Sequence, residues 1–585
     1  MKAFKGFMKY VGIVILGVIV IGALGIGFMF FTKTSMFGYY FVSASENSHN
    51  TMTVDLAGTT TTVDLNIKAG RYGVEVIPSE GSSIRVLTDN NYTGFLKGKK
   101  NSEGQIYKDL FPAIARAEDD VITSTNTELS ISLAEPEGLL AVSATSVVRI
   151  YVPFHVSYTP ENSDDAVENI IKYNINITTE NGDIDLKNGQ MKGADKKDIK
   201  LPLNVASLKL TTNRGNVDMQ GFGNKAGELI KNLTLENLNI STNGGTFDFT
   251  SFDSVTVNNK IQLESKKATY LFNTLNAING TAGGIEINGT TVKFTADTVN
   301  CGMDGFIYKC DTGVLKITNL FTGCDIVKTI TEVTNDEGDV TGYTTKVTSA
   351  TPFENTIFTD SAVVELGSVI GKLGLYDEFG NVTIGTLSHQ ATMRTENGDI
   401  KIGKSGVYLN ETDDTKSYSD TSSLILYSTY GDITVGEYYQ DAVIYSKKGK
   451  IEAHSCYYTS RADRYFYSDI STKDGKVVAS TKGNPMKVVA SDSANIKFTV
   501  HDVLKITKNP FGEGVDMYQA ISKNGTVTAI LPVTSYKVKV EAKKIEGSIG
   551  ATATFGDDYV QINTAVDGQP TIKLQGYKAI LSSSV

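Results

Sequence analysis

Apolar and polar residues alternate with a period of two in many short segments of the chain, and each segment meets the next at a glycine. Residues 175–186 read INITTENGDIDL, where Ile184 and Leu186 alternate with Asp183 and Asp185. Because side chains of a β-strand point alternately to its two faces, this pattern predicts strands that bury one face. It favours pairs of strands joined by tight turns.

The same strand–turn–strand motif recurs seven times, at residues 175–186, 208–219, 238–249, 391–402, 424–435, 442–453 and 468–479. Its central glycines are Gly182, Gly215, Gly245, Gly398, Gly431, Gly449 and Gly475. Glycine beside Asn or Asp is typical of a tight turn with positive φ. Since one repeat cannot bury its own apolar face, the repeats must stack. We therefore predict a mainly β ectodomain with a repetitive β-solenoid or β-helix-like fold.

The repeats also suggest an organisation for the ectodomain. A first β-solenoid region is expected at residues 51–290, an irregular central β region at 291–375 and a second β-solenoid region at 376–585. Whether the array is one solenoid or two is left open by the spacing. Helical periodicity is scarce, and short helices are expected only at residues 106–117 and 163–173.

A long apolar segment precedes the repeats. Residues 10–32 contain no charge, and about 20 apolar residues span a hydrocarbon core of about 30 Å as a helix. Lys2, Lys5 and Lys9 precede the segment, whereas only Lys33 follows it closely. The positive-inside rule then places the N-terminus in the cytoplasm and the repeats outside the cell.

These features predict a basic cytoplasmic tail at residues 1–9, a single-pass transmembrane helix at 10–32 and a juxtamembrane linker at 33–50. A cleavable signal peptide is the alternative. It is disfavoured because the apolar run is long and no Ala-x-Ala cleavage site follows it.

Composition narrows the function. The chain has 585 residues, 55 glycines, 11 prolines and a net charge of −10. Its length suits several domains or one extended repeat array. Nucleic-acid binding requires clustered Lys and Arg, so the acidic balance disfavours that class of partner.

Four cysteines leave two interpretations open. Cys301, Cys310, Cys324 and Cys456 can form disulfides outside the cell, with three possible pairings, or serve as small apolar side chains within the strands. No CxxC motif occurs, so a structural zinc site is not expected.

Candidate chemical motifs are few. Residues 398–405 match the phosphate-binding pattern GxxxxGKS, but their alternation predicts a strand where a phosphate loop needs a helix N-terminus. Acidic turns at residues 180–183, 335–339 and 396–399 have Ca²⁺-compatible side chains but lack a complete EF-hand loop. We therefore assign no catalytic, cofactor-binding or metal-binding residues, and no cofactor.

The repeats resemble a known family. The segment VVRIYVPFHV at residues 147–156, the T-x-N-G-D-I-x-[LV] repeat, and GTVTAILP with KVKVEAKKIEGSIG within residues 525–550 are similar to the bacterial adhesin-domain family. That resemblance implies a membrane-anchored or exported β-solenoid repeat protein without enzymatic activity. It assigns no ligand.

The leading hypothesis is a cell-surface protein whose adhesin-like, non-catalytic ectodomain binds a surface glycan, a protein or copies of itself. One alternative is self-assembly into a surface layer or filament through strand edges. Another is a polysaccharide-active β-helix enzyme, which would need a patch that joins Arg394, Lys401 or Arg214 with carboxylates.

Overall fold

The computed structural model describes residues 39–583, apart from several internal segments. The undescribed segments are 98–112, 117–124, 135–138, 145–146, 160–164, 195, 278–282, 323, 335–339, 353, 407–422, 457–465, 504–510, 512–514, 533–535, 549–552, 556–559 and 563–570. The chain forms two compact units, Met1–Phe252 (unit 1) and Asp253–Val585 (unit 2).

Unit 1 contains 21 described strands. They are β1 (Tyr39–Asp55), β2 (Thr62–Gly70), β3 (Gly73–Ser79), β4 (Ser83–Lys97), β5 (Ala113–Arg116), β6 (Asn126–Ala134), β7 (Leu139–Ala144), β8 (Val147–Pro153), β9 (His155–Tyr158), β10 (Val167–Ile170), β11 (Lys172–Thr179), β12 (Ile184–Leu186), β13 (Gly189–Lys192), β14 (Asp198–Leu201), β15 (Val205–Thr212), β16 (Val217–Met219), β17 (Phe222–Lys225), β18 (Glu228–Ile230), β19 (Asn232–Leu235), β20 (Asn237–Thr242) and β21 (Gly245–Asp248).

The core of unit 1 comes from parallel strands stacked in register. Strands β6, β2, β11, β15 and β20 pair in that order, and β8, β3, β12, β16 and β21 form a second parallel series. Leu65 faces Ile175, which faces Leu208, which faces Leu238, and all four are buried. Each coil thus covers the apolar row of the coil before it. Among the described residues of unit 1, antiparallel pairs occur in hairpins, among β1, β4, β7 and β8, and between β5 and β6.

Unit 2 contains the remaining 25 described strands. They are β22 (Ser254–Val257), β23 (Ile261–Ala277), β24 (Gly284–Cys301), β25 (Gly305–Thr322), β26 (Cys324–Thr334), β27 (Val340–Pro352), β28 (Glu354–Ile370), β29 (Lys372–Asp377), β30 (Val382–Leu387), β31 (Ala391–Thr395), β32 (Ile400–Ser405), β33 (Ser423–Ser428), β34 (Ile433–Tyr438), β35 (Asp441–Ser446), β36 (Ile451–Ser455), β37 (Ser468–Thr472), β38 (Val477–Thr481), β39 (Met486–Ala490), β40 (Ile496–Val500), β41 (Tyr518–Ser522), β42 (Thr526–Leu531), β43 (Lys537–Ser548), β44 (Ala553–Phe555), β45 (Val560–Ile562) and β46 (Thr571–Ser583).

From β29 to β42, each coil of unit 2 contributes one strand to each of two parallel stacks. The odd stack runs through β29, β31, β33, β35, β37, β39 and β41, and the even stack runs through β30, β32, β34, β36, β38, β40 and β42. Inward residues are buried in both stacks, such as Leu375 in β29 and Ile384 in β30. This architecture is mainly β, with long runs of parallel strands, and is consistent with the β-solenoid-like fold predicted from the repeats.

The repeat glycines are needed for a reason that the sequence did not predict. Six of the seven have an ordinary φ, and only Gly245 has a positive one, at 125°. A Cβ on Gly398 would lie 1.6 Å from the carbonyl oxygen of Gly380, and one on Gly431 would lie 2.0 Å from that of Gly398. The predicted positive-φ turn is therefore wrong for most repeats. Glycine is required because consecutive coils approach each other too closely for a side chain.

The polar residues around each glycine connect neighbouring coils. The Asp399 carboxylate accepts a hydrogen bond from the Asp432 backbone N–H at 2.8 Å, and Asp432 accepts one from Lys450 N–H at 2.7 Å. Three residues before each glycine lies a buried Ser or Thr. In one repeat, the Thr472 hydroxyl accepts a hydrogen bond from Gly475 N–H at 2.9 Å. These bonds satisfy backbone groups that the turns leave outside the strand ladders.

The two short helices expected from the sequence are strands where the chain is described. The predicted helix at 163–173 is wrong where the chain is described, because β10 pairs with β9 there and β11 begins at Lys172. The predicted helix at 106–117 is wrong at Ala113–Arg116, which form β5 against β6, and its earlier part lies outside the described residues. Tertiary pairing overrides the weak local pattern.

The predicted membrane segment at 10–32 also lies outside the described residues. In the part of the chain that is described, no helix has the length and apolar character needed to cross a membrane.

Within residues 291–375, long strands β24, β25 and β28 pair in parallel register. This segment lacks the repeat motif because its strands run continuously where later coils have a glycine turn.

Candidate interaction surface

Five outward side chains form a row across consecutive coils of unit 2. Phe358 faces Tyr376, Tyr376 faces Arg394, Arg394 faces Tyr427, and Tyr427 faces Tyr445. We call this set the aromatic row. Because the coils stack in register, a residue at this position of every repeat must lie beside its counterpart in the next repeat.

Ring contacts hold the row together. The rings of Phe358 and Tyr376 are stacked with centroids 5.1 Å apart and an interplanar angle of 18°. The Arg394 guanidinium carbon lies 5.9 Å from the Tyr376 ring centroid, a cation–π arrangement. Tyr427 and Tyr445 lie 6.3 Å apart at a tilt of 54°. Phe358 is 51% exposed and Tyr427 40% exposed, so the row presents apolar surface to solvent.

Polar groups fix the arginine within the row. One Nη of Arg394 lies 2.8 Å from a Glu396 carboxylate oxygen, and the Thr429 hydroxyl donates to the other oxygen at 2.7 Å. Hydrogen bonds from Arg394 and Thr429 lower the pKa of Glu396, so this carboxylate is ionised at neutral pH. The guanidinium is therefore positioned by a charged partner as well as by a ring.

Two further exposed aromatic residues lie on the neighbouring turns. Phe379 and Tyr430 directly precede the stacked glycines Gly380 and Gly431, and they are 53% and 50% exposed. The Lys448 ammonium lies 5.4 Å from the centroid of the Tyr430 ring. Exposed aromatic residues thus extend from the odd stack onto the adjoining turn.

The row has the composition of an interaction surface. Tyr, Phe and Arg are enriched where proteins bind one another, and contiguous exposed apolar patches are uncommon on surfaces without partners. Tyr376 has Phe358 against its ring and Arg394 beside it, so its faces are already in use. A sugar ring that stacks on an aromatic residue needs a free face, and Tyr376 does not offer one.

The residues named for the hypothetical catalytic patch belong to different elements. Arg394 belongs to β31 in the odd stack and pairs with Glu396, whereas Lys401 belongs to β32 in the even stack. Arg214 lies in a turn of unit 1. The phosphate-loop match at 398–405 is a turn followed by strand β32, as the alternation predicted.

One serine–histidine pair resembles a nucleophile with its base. Ser388 Oγ lies 2.7 Å from His389 Nδ1, but both side chains are buried, at 4% exposure each. The Ser388 hydroxyl also lies 3.1 Å from the Val369 carbonyl, and burial lowers the pKa of His389 to about 4. This pair links the corner of one coil to the next and has no solvent access for a substrate.

The cysteines follow the apolar interpretation where they are described. Cys301, Cys310 and Cys456 are buried and form no disulfide, and the Cys324 side chain is not described. Burial raises the pKa of Cys310 to about 12. Among the described residues, no group of three His, Cys, Asp or Glu side chains is arranged to hold a metal ion.

Comparison with known proteins gives no match for this chain. No protein-family model, no curated protein and no solved structure matches the chain. The resemblance to the adhesin-domain family therefore stays a hypothesis from motifs. The aromatic row was missed at the sequence level, although one signal was present: Tyr376, Arg394, Tyr427 and Tyr445 each lie four residues before a repeat glycine.

Proposed function

We propose that this chain is a membrane-anchored cell-surface protein whose β-solenoid ectodomain acts as an adhesin-like, non-catalytic binding module. The aromatic row is the single observation that supports this proposal most directly. The apolar segment at 10–32 supplies the single-pass anchor, and Lys2, Lys5 and Lys9 orient it with the ectodomain outside. A protein on another surface is the partner that suits the row best.

Energetic considerations favour a small number of anchoring contacts. Aromatic and arginine side chains at the centre of an interface commonly contribute about 2 kcal/mol or more each when truncated. Tyr376 and Tyr427 flank Arg394 and are held in position by the sheet, so little side-chain entropy is lost on binding. The row is therefore pre-organised.

Self-assembly through strand edges is a less favourable function for this chain. Strand β43 pairs along one edge with β46, and its charged side chains form ion pairs such as Lys539–Glu541 and Lys544–Glu546. Charged residues on an end strand disfavour the addition of a further strand. Binding through a face is preferred over growth from an end.

The proposal is tested on cells that display the full-length chain at matched surface levels. A Tyr376→Ser, Tyr427→Ser double variant is compared with a Lys401→Ser, Thr434→Ser control on the even stack. Loss of two aromatic contacts should reduce attachment to other cells or protein-coated surfaces by about tenfold or more, and the control should attach like wild type. Equal attachment by the aromatic variant, or by cells without the chain, would refute the proposal.

A further inference from the structure

A second surface feature lies on unit 1, on the outward face of the stack β6, β2, β11, β15 and β20. We call it the amide ladder, and it consists of Asp64, Asn66, Asn174, Asn176, Asn237 and Asn239. Asp64 faces Asn174 and Asn66 faces Asn176 across the β2–β11 pair. Ser207 and Lys209 of β15 continue the same two columns to Asn237 and Asn239 of β20.

Side-chain hydrogen bonds run along these columns. Asn174 Nδ2 donates to Asp64 Oδ1 at 2.7 Å, and Asn176 Nδ2 donates to Asn66 Oδ1 at 3.0 Å. The two bonds have the same direction, so they fix the orientation of the amide groups along the stack. All six side chains of the ladder are half-buried, and they line a shallow open groove of about 320 Å³.

The ladder bonds use only part of the hydrogen-bonding capacity of these groups. An asparagine side chain has two N–H donors and an oxygen with two lone pairs. A ladder bond takes one donor from Asn174 and leaves its other N–H and its carbonyl oxygen for further bonds. The groove therefore offers hydrogen-bond donors and acceptors from the asparagines of β11 and a donor from Lys209 of β15, which is chemistry that recognises hydroxyl groups.

Spacing and charge narrow the class of ligand. Neighbouring strands lie about 4.8 Å apart, which is close to the length of one hexose unit in an extended chain. Glu128 and Asp64 place carboxylates at one end of the groove, and their charge opposes an acidic polysaccharide. The uncharged amides favour neutral sugars, whose hydroxyls both donate and accept.

We propose that the amide ladder binds an extended neutral polysaccharide whose chain lies along the stacking direction, with about one sugar unit for each coil. Asn174, Asn176 and Asn239 hydrogen-bond hydroxyl groups of successive sugars, and Lys209 contributes a donor between them. This site is in unit 1 and does not depend on the aromatic row, so it is a binding function separate from the one proposed above.

The test uses full-length protein in a polyoxyethylene detergent, which contains no sugar. Isothermal titration calorimetry measures binding of cellohexaose, mannohexaose and chitohexaose, with hexagalacturonate as the acidic probe. At least one neutral probe should bind, and at least tenfold more tightly than hexagalacturonate. The Asn174→Ala, Asn176→Ala variant should bind that probe about tenfold more weakly, because at least two hydrogen bonds are lost.

A Thr178→Ala, Thr211→Ala variant is the matched control, because these residues face each other on the same strands one column outside the groove. It should bind like wild type. Circular dichroism checks that each variant keeps its strands, and if the asparagine variant unfolds, single Lys209→Ala and Asn239→Ala variants replace it. Failure of every neutral probe, tighter binding of hexagalacturonate, or wild-type affinity in the groove variants would overturn the proposal.

Discussion

Replacement of the buried Asp377 should stabilise this protein. Its side chain is fully buried in a column where the neighbouring coils carry hydroxyl residues, since Thr359 and Thr395 face it on either side. One carboxylate oxygen accepts a hydrogen bond from Gly380 N–H at 2.7 Å. The other oxygen is buried and accepts no hydrogen bond from the residues that the structure describes. A charge at this position loses its hydration without full compensation.

Burial raises the pKa of Asp377 from its ordinary value of 3.8 to about 6, because desolvation disfavours the charged form. A difference of about 2 pKa units corresponds to about 3 kcal/mol of unfolding free energy. Between pH 4 and 6, the Asp377 carboxyl group keeps its proton in the folded state but has lost it in the unfolded state. The protein is therefore expected to lose this stability as pH rises from about 4 to about 6, with the full penalty present above pH 6.

Asp377→Thr removes the charge and installs the residue found in both neighbouring coils. The free energy of unfolding should rise by about 2 to 3 kcal/mol at pH 7.5 and change little at pH 4. Urea unfolding of the full-length protein, followed by circular dichroism at several pH values, measures this difference. Asp377→Asn is a second test variant, because it also removes the charge but keeps the acceptor for Gly380.

The reasoning would be refuted if Asp377→Thr were no more stable than wild type at pH 7.5. It would also fail if the gain were the same at pH 4 as at pH 7.5, because the effect would then not arise from ionisation. A smaller gain for Asp377→Asn than for Asp377→Thr is compatible with the reasoning, since a buried amide adds donors that need partners.

Two other predictions concern the core. Gly398→Ala should lower the unfolding free energy by about 3 kcal/mol or more in urea titrations, because its Cβ would lie 1.6 Å from a carbonyl oxygen. Gly374→Ala is the control and should cost less than about 1 kcal/mol, because the nearest atom to its Cβ would be 3.5 Å away. Equal effects of the two substitutions would contradict the close-packing argument. In a Cys324→Ser background, the buried thiols of Cys301 and Cys310 should react with maleimide in urea but be protected in the native protein. Rapid labelling of the native protein would contradict this prediction, because it would show that these strands are open.

Much of the fold was predictable because it depends on local regularity. The alternation of Ile184 and Leu186 with Asp183 and Asp185 identified the strands, and the recurrence of glycine identified the stacking. The role of Gly398 was not predictable, because its requirement arises from an oxygen of another coil. The helix expected at 163–173 failed for a similar reason, since β9 supplies the pairing that makes β10 a strand.

The aromatic row and the amide ladder were harder to predict from the sequence than the strands were. Tyr376 and Tyr427 are separated by a whole coil and an undescribed segment, so their relation emerges only when each is aligned on the glycine four residues after it. Likewise, Asp64 and Asn174 are 110 residues apart in the chain but hydrogen-bonded in the fold. A row across coils depends on the register of each pair, and insertions between coils hide that register.

The sequence by itself therefore determined the kind of element and the need to stack, because strand alternation and glycine turns are local properties of the chain. Only the tertiary structure decided which outward residues become neighbours, which glycines exclude a side chain, and why burial raises the pKa of Asp377 among hydroxyl residues. The physical reason is that each of these features arises between coils, where register and close contact are set by residues far apart in the chain.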